Sequence, residues 1–377
     1  MLEEEKTDVS VLIKNSDMIW WRQDHLSISQ NIKSLLSFLK TLFQKNQSLK
    51  TMLIFKDFTY SSSIIHYLLY YCSLPYPTFL AAIDTTLFFG VIIGKKSKAI
   101  HLHCQSNQSP RDQFLNIKNL LQTDLFSRIV KSNHISTLVL RDVNDQIVNY
   151  MRNKQETPFQ FVSLKQIPFA MYDLKETLSM KGSRFSNIRW HLNKFEQANH
   201  TISIKSGKHM EKPLLHLIGK WRRHAIHQRC FSFADVHSDI FGAKIIDCIE
   251  NKSFDNFKKD IIALKLDNIF YRILEIDNQV VSFHLGYRLG FFKDSDVCAH
   301  AIGITDLSIP HLSEYAQIDF WRYIEGEKIR YVNDGPSWRK SLEVFKDKFR
   351  PIKKQNYFWM TLSLDKLESN TIKNNQD

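Results

Sequence analysis

Two short stretches concentrate the residue types that hold phosphate. The first, Lys181-Gly182-Ser183-Arg184-Phe185-Ser186-Asn187-Ile188-Arg189-Trp190-His191-Leu192-Asn193-Lys194-Phe195, carries Lys181, Arg184, Arg189 and Lys194 and no acid, a local charge of +4. Phe185, Ile188, Leu192 and Phe195 recur at helical spacing, so the charges ride on a helix. Its N-terminus would offer unpaired N–H groups and a positive dipole end to an anion. A solvated helix face has the same spacing. The second stretch sets seven basic residues, Arg339, Lys340, Lys346, Lys348, Arg350, Lys353 and Lys354, against Glu343 and Asp347, a local charge of +5. Tyr357 and Trp359 follow, and rings beside cations suit the stacked bases of a nucleotide or a single-stranded RNA end. Strand packing accounts for the rings equally well.

Other clusters carry less. His224, His227 and Cys230 sit at i, i+3 and i+6, but among Arg222, Arg223 and Arg229 and without a fourth zinc ligand. His101 and His103 share one strand face with nothing nearby to complete a site. No G-x-S-x-G nucleophile elbow occurs. No metal is expected.

The whole chain fits these local readings. Its 377 residues are 43% hydrophobic, and 27 Phe, 13 Tyr and 7 Trp exclude low-complexity disorder. Lys and Arg number 51 against 39 acids, a net +12 that favours a polyanionic partner, whether nucleic acid, an anionic membrane surface or a phosphorylated cofactor. The five cysteines are scattered, with no C-x-x-C pair, as in a reducing compartment. Met1-Leu2-Glu3-Glu4-Glu5 is acidic where a secretory signal needs a basic start. The apolar region 64–93 is interrupted by His66, Pro75, Pro77 and Asp84, short of the roughly 20 continuous apolar residues of a membrane span. A cytoplasmic protein is expected.

Elements that could position the basic segments follow from periodicity and punctuation. Helical spacing covers 27–43. Leu87–Ile93 and Ala99–His103 flank the turn residues Gly94-Lys95-Lys96-Ser97 as a hairpin. Ser109-Pro110 opens a helix with a cap and a first-turn proline, and 136–140 is the next strand. The second half repeats this grammar: helix 184–198, strand 201–204, helix 213–226, then a meander of strands 269–276, 280–289 and 297–304. Helix 313–324 and strand 329–332 precede Asn333-Asp334-Gly335-Pro336-Ser337, which reads as a turn.

At these residues the second half resembles the acyltransferase domain of phosphatidylglycerol lysyltransferases and the Fem-type transferases of peptidoglycan cross-bridges, variants of the acetyltransferase (GNAT) fold. The family's opening segment, G-(basic)-x-(basic)-x-x-R-x-x-x-N-x-F, is met in part by Gly182, Arg184, Arg189, Asn193 and Phe195, with the glycine one residue early and Ser186 at the second basic position. Its closing segment, a glycine turn followed by L-x-x-(F or small)-K-x-x-(aromatic)-x-P, is met by Gly335, Leu342, Phe345-Lys346, Phe349 and Pro351. The likeness covers about residues 168–363. The first half is similar to the family's degenerate leading domain, chiefly through Leu138-Val139-Leu140-Arg141-Asp142-Val143. The resemblance implies an α+β chain of two tandem GNAT-like domains with mixed sheets, residues 1–167 and 168–365, and a polar tail 366–377.

It also implies the chemistry: transfer of an aminoacyl group, without a bound cofactor, from aminoacyl-tRNA to an amine or hydroxyl acceptor such as a lipid, peptide or small molecule. Lys346 inherits a place beside the donor's terminus, at the margin of a helical face formed by Leu342, Phe345 and Phe349. Donor contacts fall to Lys181, Arg184, Arg189, Asn193, Asn333, Arg339, Lys340 and Arg350. Such chemistry needs a proton acceptor and oxyanion donors, which a splayed strand pair can supply. His284, Tyr287, His300 and Asp334 are the candidates for the acceptor. The coenzyme A phosphate loop R-x-x-G-x-G/A is absent from 302–312, where it would be expected. An acyl-coenzyme A N-acyltransferase stays open as an alternative, as does a non-catalytic protein that binds RNA or touches an anionic membrane peripherally.

Overall fold

The computed structural model describes residues 21–22, 78–83, 86–94, 98–106, 108–153, 160–205, 209–227, 243, 269–289, 296–337 and 340–364. The helix expected at 27–43 lies outside them, as do Cys230 and Arg339. Contacts divide the chain into two compact units. The first takes the described residues up to Gln166 and those from Tyr357 onward; the second runs from Ile167 to Asn356.

In the first unit, β1 (Trp21–Arg22), β2 (Thr78–Ile83), β3 (Thr86–Ile93) and β4 (Lys98–Gln105) run antiparallel in order. Helices α1 (Pro110–Leu121) and α2 (Asp124–Ser132) lead to β5 (Ile135–Val143), which pairs parallel with β4. Ser109 caps α1 as expected, its Oγ accepting from the Asp112 N–H, with Pro110 at the first helical position. Phe114, Ile117, Leu120 and Leu121 of α1 bury against Phe88, Ile100, Leu102, Leu138 and Leu140. The expected hairpin is β3–β4; strand β2 extends it on the other side. Helix α3 (Asp145–Asn153) follows.

In the second unit, β6 (Gln160–Asp173) enters and is followed by α4 (Leu174–Ser179), a 3₁₀ turn (Ser183–Phe185) and α5 (Ser186–Gln197). Phe185, Ile188, Leu192 and Phe195 are all buried, as their spacing required. Strand β7 (Ile202–Lys205) and helix α6 (Glu211–His227) precede the meander β8 (Ile269–Ile276), β9 (Gln279–Arg288) and β10 (Val297–Thr305). Helix α7 (Leu312–Gly326) then crosses to β11 (Tyr331–Pro336), parallel to β10 and antiparallel to β6. Helix α8 (Lys340–Asp347) closes the unit, and β12 (Lys353–Ser363) returns to pair with β5. Ile318, Phe320, Trp321 and Ile324 of α7 pack with Tyr172, Phe270, Cys298 and Phe349. Among the described residues, no helix is long and apolar enough to cross a membrane.

One expectation is corrected here. Residues 333–336, read as a turn, belong to β11. The turn chemistry is present, but as a bulge: Asn333 Oδ1 accepts from the Gly335 N–H at 2.9 Å, Gly335 has φ +70°, and the register to β6 shifts between Asn333 and Pro336.

The meander tolerates little change at Gly286. A Cβ there would stand 2.7 Å from the Ala299 carbonyl oxygen and 2.8 Å from Cys298 Sγ. Because the first neighbour is backbone, Gly286→Ala is expected to destabilise the second unit by about 1–3 kcal/mol. Urea midpoints of the two proteins measure this, and equal midpoints refute it.

Candidate active site

The parallel pairing of β10 with β11 runs from Val297 opposite Tyr331 to Ala299 opposite Asn333, and there it stops, although both strands continue. The first residues beyond the last pair are His300 and Asp334. Their side chains occupy the divergence, His300 Nδ1 standing 2.9 Å from Asp334 Oδ1. Antiparallel pairing brings β9 alongside, and His284 Nδ1 lies 2.9 Å from His300 Nε2 with the two rings stacked at 5.0 Å. Phe320 of α7 covers both rings at 5.6 and 4.9 Å.

Asp334 connects this pair to Lys346. The Lys346 ammonium lies 3.9 Å from Asp334 Oδ2 and donates to the carbonyl oxygens of Asp334, of Gly335 at 3.0 Å and of Pro336 at 3.4 Å. These are carbonyls that β11 no longer shares with β10. Tyr172 fixes the helix that brings the lysine, its hydroxyl donating to the Lys346 carbonyl at 2.9 Å. The result is a chain of four side chains, His284–His300–Asp334–Lys346, all nearly solvent-free.

Burial sets the charge states. It pushes the His284 imidazole well below its usual range, and His300 adds to the effect, so His284 is neutral near pH 7. Burial also pushes the Asp334 carboxyl up, but Lys346 and His300 together outweigh it and hold the group below its ordinary value. Lys346 is lowered by burial and partly restored by Asp334.

Four of the five residues expected to carry catalysis, His284, His300, Asp334 and Lys346, are therefore joined, with His300 as the link. Tyr287 is not in the chain: it lies three residues from His284 on β9, so the alternation of the strand turns it to the opposite face, where it is fully buried. Lys346 also departs from expectation. It is 5% exposed and is the buried residue of α8, whereas Leu342 and Phe345 are only half-buried. The interior offered carbonyl acceptors to the amine, and these outweigh the local apolar pattern.

The two basic segments converge at a second feature of the same unit. Arg350 Nε donates to the Arg184 carbonyl at 2.7 Å, and Arg184, Arg350, Lys354, Asp347, Pro351 and Ile352 line a cleft of about 370 Å³. Lys354 is shared between Glu343 and Asp347, and Arg184 pairs with Glu176. Arg189 has a different task from the expected one. Its guanidinium donates to the carbonyls of Met180 and Gly182, which lie in the left-handed region, and so holds the loop that opens α5. Lys181 and Asn193 are exposed, and Lys340 is exposed beside Glu343 at 3.1 Å. Asn333 is buried in its own bulge.

Of the aromatics beyond the second basic segment, Tyr357 is buried in the first unit, and Trp359 stacks there under Arg141 at 3.1 Å and donates to Asp142. Of the discounted histidines, His101 lies 2.8 Å from Arg141, and His103 lies 3.3 Å from Asp142.

No family's sequence profile matches the chain. No curated protein sequence matches it either. Solved structures do. A conserved protein of unknown function from Bacteroides thetaiotaomicron VPI-5482 aligns with a TM-score of 0.55 at 15% identity, over 76% of this chain and 86% of that one. The C-terminal domain of a putative lysylphosphatidylglycerol synthetase from Agrobacterium fabrum aligns at 0.46 and 10%, over 74% and 81%. FemX aligns at 0.45 and 10%, over 76% and 87%. The last two are the kinds of protein that the opening and closing motifs resemble. At such identities the likeness is one of fold.

Proposed function

We propose that this chain is an acyltransferase of two tandem acetyltransferase-like units, which moves an aminoacyl group from aminoacyl-tRNA to an amine or hydroxyl acceptor. The observation that carries the reading is that helix α8 serves both features at once. Lys346 enters the buried chain and the next residue, Asp347, lines the cleft where the two basic segments meet. A cationic cleft suits the phosphates of an RNA end, and a titratable chain beside a strand divergence suits acyl transfer.

The β10–α7 junction favours tRNA over coenzyme A. A phosphate cradle there would need free backbone N–H groups. Instead, the Asp306 carboxylate accepts from the Ser308 N–H at 3.0 Å and from the Ser308 hydroxyl at 2.6 Å, with Lys220 bound to its other oxygen. An acidic group already occupies those donors. His311 at the α7 start has φ +66° and makes no side-chain cap.

Two measurements test this. Incubation with a charged total tRNA pool should release one or a few amino acids from tRNA onto an added acceptor, whereas release only from acyl-coenzyme A would replace the donor. Binding of a single-stranded tRNA acceptor end should weaken linearly in log affinity against log salt, with a slope of about −0.7 per phosphate neutralised. Arg350→Gln should make that slope shallower by roughly one phosphate. Affinity that ignores salt defeats the electrostatic part, and binding without any transfer marks a non-catalytic RNA-binding protein.

A further inference from the structure

The inner end of the buried chain is unfinished. His284 Nε2 is enclosed and has no hydrogen-bond partner. Two residues along the same face of β9, about 6–7 Å away by strand geometry, the Ser282 hydroxyl is enclosed and unpartnered as well. Buried polar atoms are rarely left so, and two on one face call for a small polar group between them.

The rest of the chain decides what that group must be. The Asp334 carboxylate, beside Lys346, can only accept, so His300 presents Nδ1–H to it and its Nε2 lone pair to His284. His284 must then present Nδ1–H, which leaves its Nε2 as a bare lone pair. The site therefore needs a donor at His284 and can take a further hydrogen bond at Ser282.

We propose that the Ser282–His284 face is the seat of the acceptor's amine or hydroxyl, with His284 Nε2 as its proton acceptor and His300, Asp334 and Lys346 as positioning residues that fix the tautomer. This rests on the acyl-transfer reading. In the step it serves, the acceptor nitrogen or oxygen bonds to the ester carbonyl carbon as its proton passes to His284 Nε2. The C–O bond to the tRNA ribose then breaks, and that oxygen takes the proton from His284. Among the described residues, the first unit lacks this arrangement. Its parallel strands β4 and β5 carry a His103–Asp142 pair near the end of their ladder, but two residues before Phe89, the partner of His103, stands Leu87, not a histidine.

Two experiments test the proposal independently. Nitrogen-15 NMR of histidine-labelled full-length protein should show His284 and His300 both protonated at Nδ1 and bare at Nε2. A proton on His284 Nε2 near pH 7 overturns the proposal whatever the reaction proves to be. In the transfer assay, His284→Gln should lower kcat by roughly 10²–10⁴. The double variant with His300→Gln should be little worse than His284→Gln alone, because the two act as a unit. Ser282→Ala should raise KM more than it lowers kcat. The charged and titratable groups facing His284 are His300, Arg272 with its partner Asp319, and, behind His300, Asp334 and Lys346. A His284→Gln enzyme of correct fold with turnover within twofold of the parent overturns the assignment. If no donor supports transfer, the acyl-transfer reading falls, while the NMR result still decides the tautomer.

Discussion

Replacing Lys346 by Met is expected to destabilise the second unit by about 3–5 kcal/mol, the cost of removing one partner from a buried ion pair. The methionine keeps the stem and fills most of the space. What it deletes is the only ammonium beside the Asp334 carboxylate among the described contacts of that group, together with the donor to three carbonyls of β11. A carboxylate left uncompensated in a site this dry must take up a proton or draw in water, and both oppose folding. An amine at the margin of a helical face could be removed with little loss of melting temperature; the burial of this one reverses that. Adding Asp334→Asn to Lys346→Met removes the stranded charge, so the double variant should recover a large part of the loss. Lys353→Met, at an exposed position, should change neither stability nor turnover. Urea denaturation of the four proteins measures the stabilities and the transfer assay the turnover, and a Lys346→Met loss below about 1 kcal/mol would show that the pair contributes little.

The same residue shows where sequence reasoning ends. Leu342, Phe345 and Phe349 define a helical face, and by that rule Lys346 belongs at its margin. What draws the amine inward is a set of carbonyls on β11 that strand divergence leaves without partners, and no local pattern encodes that divergence. Elements with strong periodicity were legible: α5, α7 and the meander β8–β10 fall within a few residues of their expected limits. Strand β6 was not, because its first half is exposed and it carries Pro168, which reads as a boundary. The turn letters at 333–337 were read correctly as chemistry and wrongly as location, since a bulge uses the same residues as a turn. As for the site, His284 and Asp334 were nameable from their types, but their connection through His300 depends on the register of three strands. Tyr287 could have been set aside from sequence alone, because an odd spacing from His284 along a strand places the two on opposite faces.

Acid should unfold this protein well above the range where carboxylates titrate. Burial lowers the pKa of His101 to about 3, with Arg141 and His103 adding to it. It lowers His103 too, overriding the opposing pull of Asp142, and it lowers His284 further than its neighbour His300 does. Each stays neutral in the folded chain while the unfolded chain binds a proton below about pH 6.5. The unfolded state thus carries more bound protons, so stability is intact above that pH and is lost as the pH falls toward each folded value. The slope is up to about 1.4 kcal/mol per pH unit for each such histidine. Burial lowers His191 in the second unit as well, so two such histidines lie in each unit and both units should lose stability as the pH falls below about 6.5. Asp334 and Asp306, both held below their ordinary value with burial opposing the shift, stay charged through that window and add their loss only below about pH 4. Urea titrations from pH 7.5 to 4.5, with hydrogen exchange to separate the units, give the two slopes. His101→Gln should reduce the first unit's slope by one proton and leave the second unit's unchanged. Stability that is flat between pH 7 and 5 in both units would mean that these imidazoles reach solvent and protonate without opening the fold.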